Sequence, residues 1–221
     1  MTHFRRTLLT GAAAGFLCLC GALSAGAQDV FLRPAMEEFV DKDTRLVFPA
    51  QVDTFQKVRV RKNENPVFGT VVRYENEAGT CADVYIYSLD TGAKEVLPDV
   101  FEKHFVETDQ DIMKMPALNP KIKVEPIDVE GRKPSPGGRE AHYRIQNGST
   151  QMDSILFLAL YRGKLVKLRI SYAPDDKDEA TGAYRFIDAI AALLDKGKTE
   201  QPRKEGAVKT EQKQAETKTG A

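Results

Sequence analysis

Two apolar runs separated by a three-residue turn constrain this chain more than anything else in it. Ser154 to Tyr161 is apolar almost throughout, Arg162-Gly163-Lys164 is polar, and Leu165 to Tyr172 is apolar at every second position. In the second run Val166, Leu168, Ile170 and Tyr172 fall on one side and Lys167, Arg169 and Ser171 on the other. A period of two separates residues onto opposite faces only in a strand. Two such runs joined across a glycine predict an antiparallel hairpin. Ala141 to Gln146 with the turn Asn147-Gly148-Ser149 predicts a third strand just before it.

The N-terminal half repeats the pattern. Gln56 to Arg61 alternates, with Val58 and Val60 expected inward and Lys57, Arg59 and Arg61 outward. Lys62 to Pro66 is turn chemistry. Phe68 to Tyr74 alternates again, with Phe68, Val72 and Tyr74 on one face and Val71 and Arg73 on the other. Ala82 to Leu89 is apolar on both sides and reads as a central strand. Leu46-Val47-Phe48-Pro49 predicts a brief strand, and Pro34 to Val40 a short helix. From Leu97 to Met115 the period becomes helical, with Phe101, Phe105, Thr108, Ile112 and Met115 on one side and Asp99 as the expected N-cap. Prolines break the chain from 116 to 136, leaving Ile122 and Val124 for a short edge strand and 133–139 for an exposed, mobile loop. A last helix is expected from about Asp178 to Asp195, buried along Ala183, Phe186, Ile187, Ile190, Ala191 and Leu194. Strands and helices are segregated along the chain, which predicts an α+β fold: an antiparallel sheet of hairpins covered by two main helices.

The 221 residues sum to a net charge of zero, but the sum hides three unlike segments. Residues 1–27 carry +2 and read as a signal peptide: Arg5 and Arg6, an apolar stretch from Leu8 to Leu23, then Ala25-Gly26-Ala27 for cleavage after Ala27. The apolar stretch is shorter than the ~20 residues a membrane span needs. The Arg pair is consistent with Sec or twin-arginine export, and Leu17 and Leu19 ahead of Cys18 and Cys20 speak against lipidation. Residues 28–195 carry −5 and form the single domain. Residues 196–221 carry +3, are rich in Lys, Glu and Gln, and read as a disordered tail, because they offer too little apolar surface to offset ordering entropy. The expected location is therefore the periplasm or the exterior, with no transmembrane segment in the mature chain. A mature charge near −2 argues against nucleic acid as a partner.

Chemistry is sparse. Cleavage leaves Cys81 alone, in an apolar strand where burial is expected. His104 and His142 lack partners at ligand spacing, and the acidic run Asp175 to Glu179 lacks the spacing and central Gly of a calcium loop, so no metal is expected. Serine elbows, phosphate loops and dinucleotide fingerprints are absent, so no catalytic residue or cofactor is assigned. What remains is charge: Lys57, Arg59 and Arg61 on one strand, Arg73 on another, Lys167 and Arg169 on a third, and Arg162 and Lys164 at a hairpin tip. If their strands are neighbours, these cations form a surface for an anionic protein or envelope component.

Three packing patterns carry a family resemblance: Leu46-Val47-Phe48-Pro49-Ala50 ahead of a hairpin, the pair Phe157 to Tyr161 and Lys164 to Ile170, and a closing helix ending in Ala191-Ala192-Leu193-Leu194. Over about residues 46–195 the chain resembles the PsbP-like fold, as also seen in periplasmic DcrB-type proteins. The resemblance implies a small non-catalytic accessory or binding domain and carries over no functional residue. The function expected is thus a secreted or periplasmic accessory or binding protein. The alternatives are an enzyme of unrecognised type and a structural envelope protein tethered by its tail.

Overall fold

The computed structural model describes residues 30–31, 37–63, 65, 67–89 and 96–199, and the expected signal peptide and the tail from residue 200 onward lie outside them. The predicted hairpin forms its centre. Thr150–Tyr161 (β10) and Lys164–Tyr172 (β11) pair antiparallel in unbroken register from Asp153↔Tyr172 to Tyr161↔Lys164. Gly138–Asn147 (β9) lies on the outer side of β10, and Ile122–Pro126 (β8) closes that edge. Cys81–Tyr87 (β7) lies on the other side of β11, followed by Thr70–Glu75 (β6) and Phe55–Lys62 (β5). The short strands Val30–Phe31 (β1) and Gln51–Val52 (β4) both pair with the outer edge of β5. The order β1-β5-β6-β7-β11-β10-β9-β8 is antiparallel throughout, and β7 is central, as its two-sided apolar sequence predicts.

Helices lie on both faces. Lys177–Thr199 (α3) lays Ala183, Phe186, Ile187, Ile190, Ala191 and Leu194 against Val60, Val72, Tyr74, Val84, Ile155, Phe157, Leu168 and Ile170. Asp176 caps its start, its Oδ1 accepting from the Asp178 and Glu179 N–H groups. Pro98–Met113 (α1) and Met115–Leu118 (α2) bury Phe105, Ile112 and Met115 on the other face, against Tyr143, Ile145, Leu156 and Leu158. The two-faced burial explains why β10 is apolar without alternation. The fold is α+β, with helices on both faces of a large antiparallel sheet.

Four local expectations change. Phe39–Val40 is not helical; it is extended (β2) and pairs with Val47–Phe48 (β3), so Phe39 stacks near the Phe48 ring. The N-cap of α1 is Leu97 rather than Asp99, since Pro98 takes the first helical position, where its missing N–H costs nothing. The segment 133–139 is largely exposed, as expected, but Ser135 is buried and hydrogen-bonded to Glu140 and Asp188, and Gly138 and Arg139 already belong to β9. Finally, α3 runs past Asp195 to Thr199, because Arg162 donates to the Gly197 carbonyl and Gly197 lies against the Tyr161 hydroxyl. Gly69 is required where it stands: its φ is +55°, and a Cβ there would lie 1.8 Å from the Ile86 carbonyl oxygen.

Candidate cationic face of the sheet

Helix α1 packs over β8 to β10 and reaches β11 and the end of β7, where His104 meets Tyr87, and the same face of β5 and β6 has no helix packed on it among the described residues. What that open half presents is decided by register, because residues paired across antiparallel strands share a face. Arg59 pairs with Arg73, Arg73 with Asp83, and Asp83 with Arg169. The next row is Arg61, Val71, Tyr85 and Lys167. Strands lie about 4.8 Å apart, so Arg59 and Arg169 mark a row roughly 15 Å wide. Five cations from three strands that sequence alone could not order therefore occupy one face, with Asp83 as the carboxylate among them.

These cations are held rather than free-swinging. Arg73 donates from Nε and Nη2 to both oxygens of Asp83, each at 2.8 Å, the planar bidentate geometry that guanidinium favours. Arg169 donates to Ser154 Oγ at 2.9 Å and lies over the Tyr143 ring. The Lys167 ammonium sits 4.8 Å from the Tyr85 ring centroid and 5.6 Å from that of Tyr87, a cation–π arrangement. Burial, with the Arg169 charge adding to it and Asp111 opposing it, brings the Lys167 amine down to about 8. Beside it, Tyr87 Oη and His104 Nε2 are 2.8 Å apart, and burial together with the Lys167 charge lowers the His104 pKa. Glu107 and Asp111 of α1 oppose that shift, so the helix edges the shelf with acid.

A lysine whose charged form is disfavoured by folding has a definite pH signature. The unfolded chain holds its proton to about 10.5 and the folded chain to about 8, so stability rises as pH climbs between those values. Lys167→Met is expected to flatten that rise up to about pH 10, where tyrosines begin to titrate; denaturant unfolding at several pH values checks it. An unchanged slope in the variant would assign the rise to other groups.

The other three cations named from the sequence lie elsewhere. Lys57 is buried at 3% exposure, and its ammonium donates to the Glu37 and Phe48 carbonyls. The reason is a register shift between Lys57 and Arg59, where one extra residue reverses the alternation, turning Lys57 onto the α3 face and leaving Val58 exposed. Arg162 donates to the Thr44 and Gly197 carbonyls, and Lys164 to Ser88 Oγ at 2.6 Å, so both serve the end of the sheet. Strand alternation could not have revealed the bulge, and Asp83, Tyr85 and Asp111 join the face only through pairing and helix placement.

On the α3 face a second polar cluster forms. Arg132 donates to Glu140 and Asp188 and stacks on the Tyr184 ring. Ser135 donates from its N–H to Glu140 and from its hydroxyl to Asp188, while His142 Nε2 lies 3.3 Å from Glu140. Burial pushes Glu140 up, but hydrogen bonds from His142, Ser135 and Arg132 outweigh it and bring the carboxyl down to about 2. The adjoining cleft, about 320 Å³, is lined by Ile127, Arg132, Glu140, His142 and Tyr143 among others. Its charged groups pair with one another, and Arg132 and Ser135 tie the 127–138 segment to Asp188 of α3. Cys81 is buried in β7. Among the described residues no group of three or more His, Cys, Asp or Glu is placed to hold a metal ion, and no helix is long and apolar enough to cross a membrane.

Neither a protein-family model nor a curated protein matches the sequence. The structure is similar to the solution structure of cyanobacterial PsbP (CyanoP) from Synechocystis sp. PCC 6803, with 16% identity, 82% of this chain and 96% of that chain covered, and a TM-score of 0.44.

Proposed function

We propose that this chain is a secreted or periplasmic, non-catalytic accessory protein that binds an anionic partner across the open half of its sheet. The observation that carries the reading is the pair of rows containing Arg59, Arg73 and Arg169 and Arg61 and Lys167, with Asp83 between them. A rigid sheet floor with stacked, hydrogen-bonded cations is preorganised, so little side-chain entropy remains to be lost on binding. The molecule as a whole carries no excess of positive charge, so the attraction is local and directs orientation more than bulk association. Export is supported by Arg5, Arg6, the apolar stretch and Ala25-Gly26-Ala27.

The test is capture from the organism's own envelope extract at physiological salt. Arg59→Glu/Arg61→Glu reverses two partly exposed cations on β5, and the double variant is expected to lose the captured partner about tenfold or more. Lys57→Met, whose target lies on the other face, is expected to keep it. Capture that survives the β5 reversal would overturn the reading.

A further inference from the structure

The molecule is polarised along its strands. One end gathers the β5–β6 turn, the β10–β11 turn, the start of α1 and the end of α3. Thr70 pairs with Ile86 and Leu165 with Tyr87, the Val96 N–H donates to the Gly163 carbonyl, and Arg162 donates to the Gly197 carbonyl. The 41–45 loop is tied to the same end: Asp41 accepts from Thr44 and Thr70, and Arg162 holds the Thr44 carbonyl. Phe68 and Leu97, the first 55% and the second 60% exposed, stand at this end. Among the described residues Lys42, Arg45, Lys62 and Lys198 stand at the same end, with Asp43 and Asp99 as counter-charges. At the opposite end the turns carry exposed Glu77, Asp175, Asp176 and Asp178, with Lys177 among them and Lys114 and Lys121 beside the β9–β10 turn.

Both chain exits are at the cationic end as well. Val30 pairs with Lys62, so the chain enters the sheet there, and α3 leaves beside Tyr161 and Arg162. Large apolar side chains ringed by lysine and arginine suit the boundary between lipid headgroups and acyl chains: the apolar groups enter and the cations meet the anionic headgroups. Leu118 is also exposed beside lysines, Lys114 and Lys121, but at the end away from both chain exits, and it is therefore the competing site in the test. We propose that the protein rests end-on against an anionic lipid surface through Phe68, Leu97 and the surrounding cations. The sheet then stands away from the membrane, and its cationic face is presented sideways. The inference uses different residues from the proposed partner face and stands or falls separately.

The chain has no tryptophan, so one placed at the contact reports immersion directly. Phe68→Trp, in the chain from Gln28 onward, is expected to shift its emission to the blue with vesicles containing about one-third phosphatidylglycerol, and not with phosphatidylcholine alone. In sedimentation with the same vesicles, Phe68→Ser/Leu97→Ser and Lys42→Glu/Lys198→Glu are each expected to reduce partitioning about tenfold. Leu118→Ser is expected to leave it unchanged. An unshifted emission from Trp at position 68 would overturn the proposal whatever the folding of the loss variants. So would an equal loss in Leu118→Ser, or binding that disappears on deleting residues 200–221 while both end variants still bind.

Discussion

Phe186→Ala is expected to lower the unfolding free energy by about 4 kcal/mol, the upper range for emptying a buried aromatic site. Phe186 is fully buried on α3, with its ring 4.8 Å from that of Phe55 and 5.2 Å from that of Tyr74. Both partners lie in the β5–β6 hairpin, so this one side chain fastens the helix to the half of the sheet that bears Arg59, Arg61 and Arg73. Collapse around the vacancy is limited because the surrounding strands are pinned by their own ladders. A domain of this size loses about 2–4 °C in Tm per kcal/mol, so calorimetry should show a drop on the order of 10 °C. A loss below about 1 kcal/mol would mean that α3 is not packed on the sheet in this way. Leu118→Ala, at an exposed site, provides the contrasting case.

The second large effect is Arg132→Ala, expected to cost about 3 kcal/mol. Removal leaves Glu140, with its side chain 1% exposed, without its guanidinium, and leaves Ser135 to hold the 127–138 segment to Asp188 without Arg132. Asp188 is half exposed and can turn to water, which keeps the cost at the lower end of the range for a broken buried pair. The same cluster sets an acid limit. Glu140 has an ordinary value of 4.5 and a folded value of about 2. Its contribution is therefore complete above about pH 4.5 and is lost as pH falls through 2. In Arg132→Ala part of that acid dependence is expected to disappear, because the carboxylate has lost one of its donors. A stability profile between pH 2 and 5 that matches the parent's would remove Arg132 from the account.

Neither effect could be argued from sequence. The proline-broken stretch around Lys133 offers no periodicity, so nothing in it signals that Arg132 reaches α3, 56 positions along the chain. The stripe on α3 is different: every one of its six predicted apolar positions is buried. Helical spacing alone identifies such a stripe, but not that Phe186 meets Phe55 and Tyr74.

The candidate face divides in the same way. Alternation placed Lys167 and Arg169 opposite Val166 and Leu168, and Arg73 opposite Val72, as the strands have them. It misplaced Lys57 because a bulge adds one residue to one strand, and a period of two carries no memory of such an insertion. It also treated the polar side of β11 as wholly solvent-facing, whereas α1 borders it and Lys167 lies against Tyr85 and Tyr87.

By itself the sequence determined the hairpins, the two main helices and, except at the β5 bulge, which residues of a strand share a side. Those properties follow from local periodicity, which is set by backbone geometry within a few residues. Only the tertiary structure decided that β5, β6, β7 and β11 are neighbours, so that five cations meet around Asp83, and that both chain exits leave by the end carrying Phe68 and Leu97. Strand order and the half-covered face result from which apolar surfaces bury one another across long separations, and no short-range pattern encodes that choice.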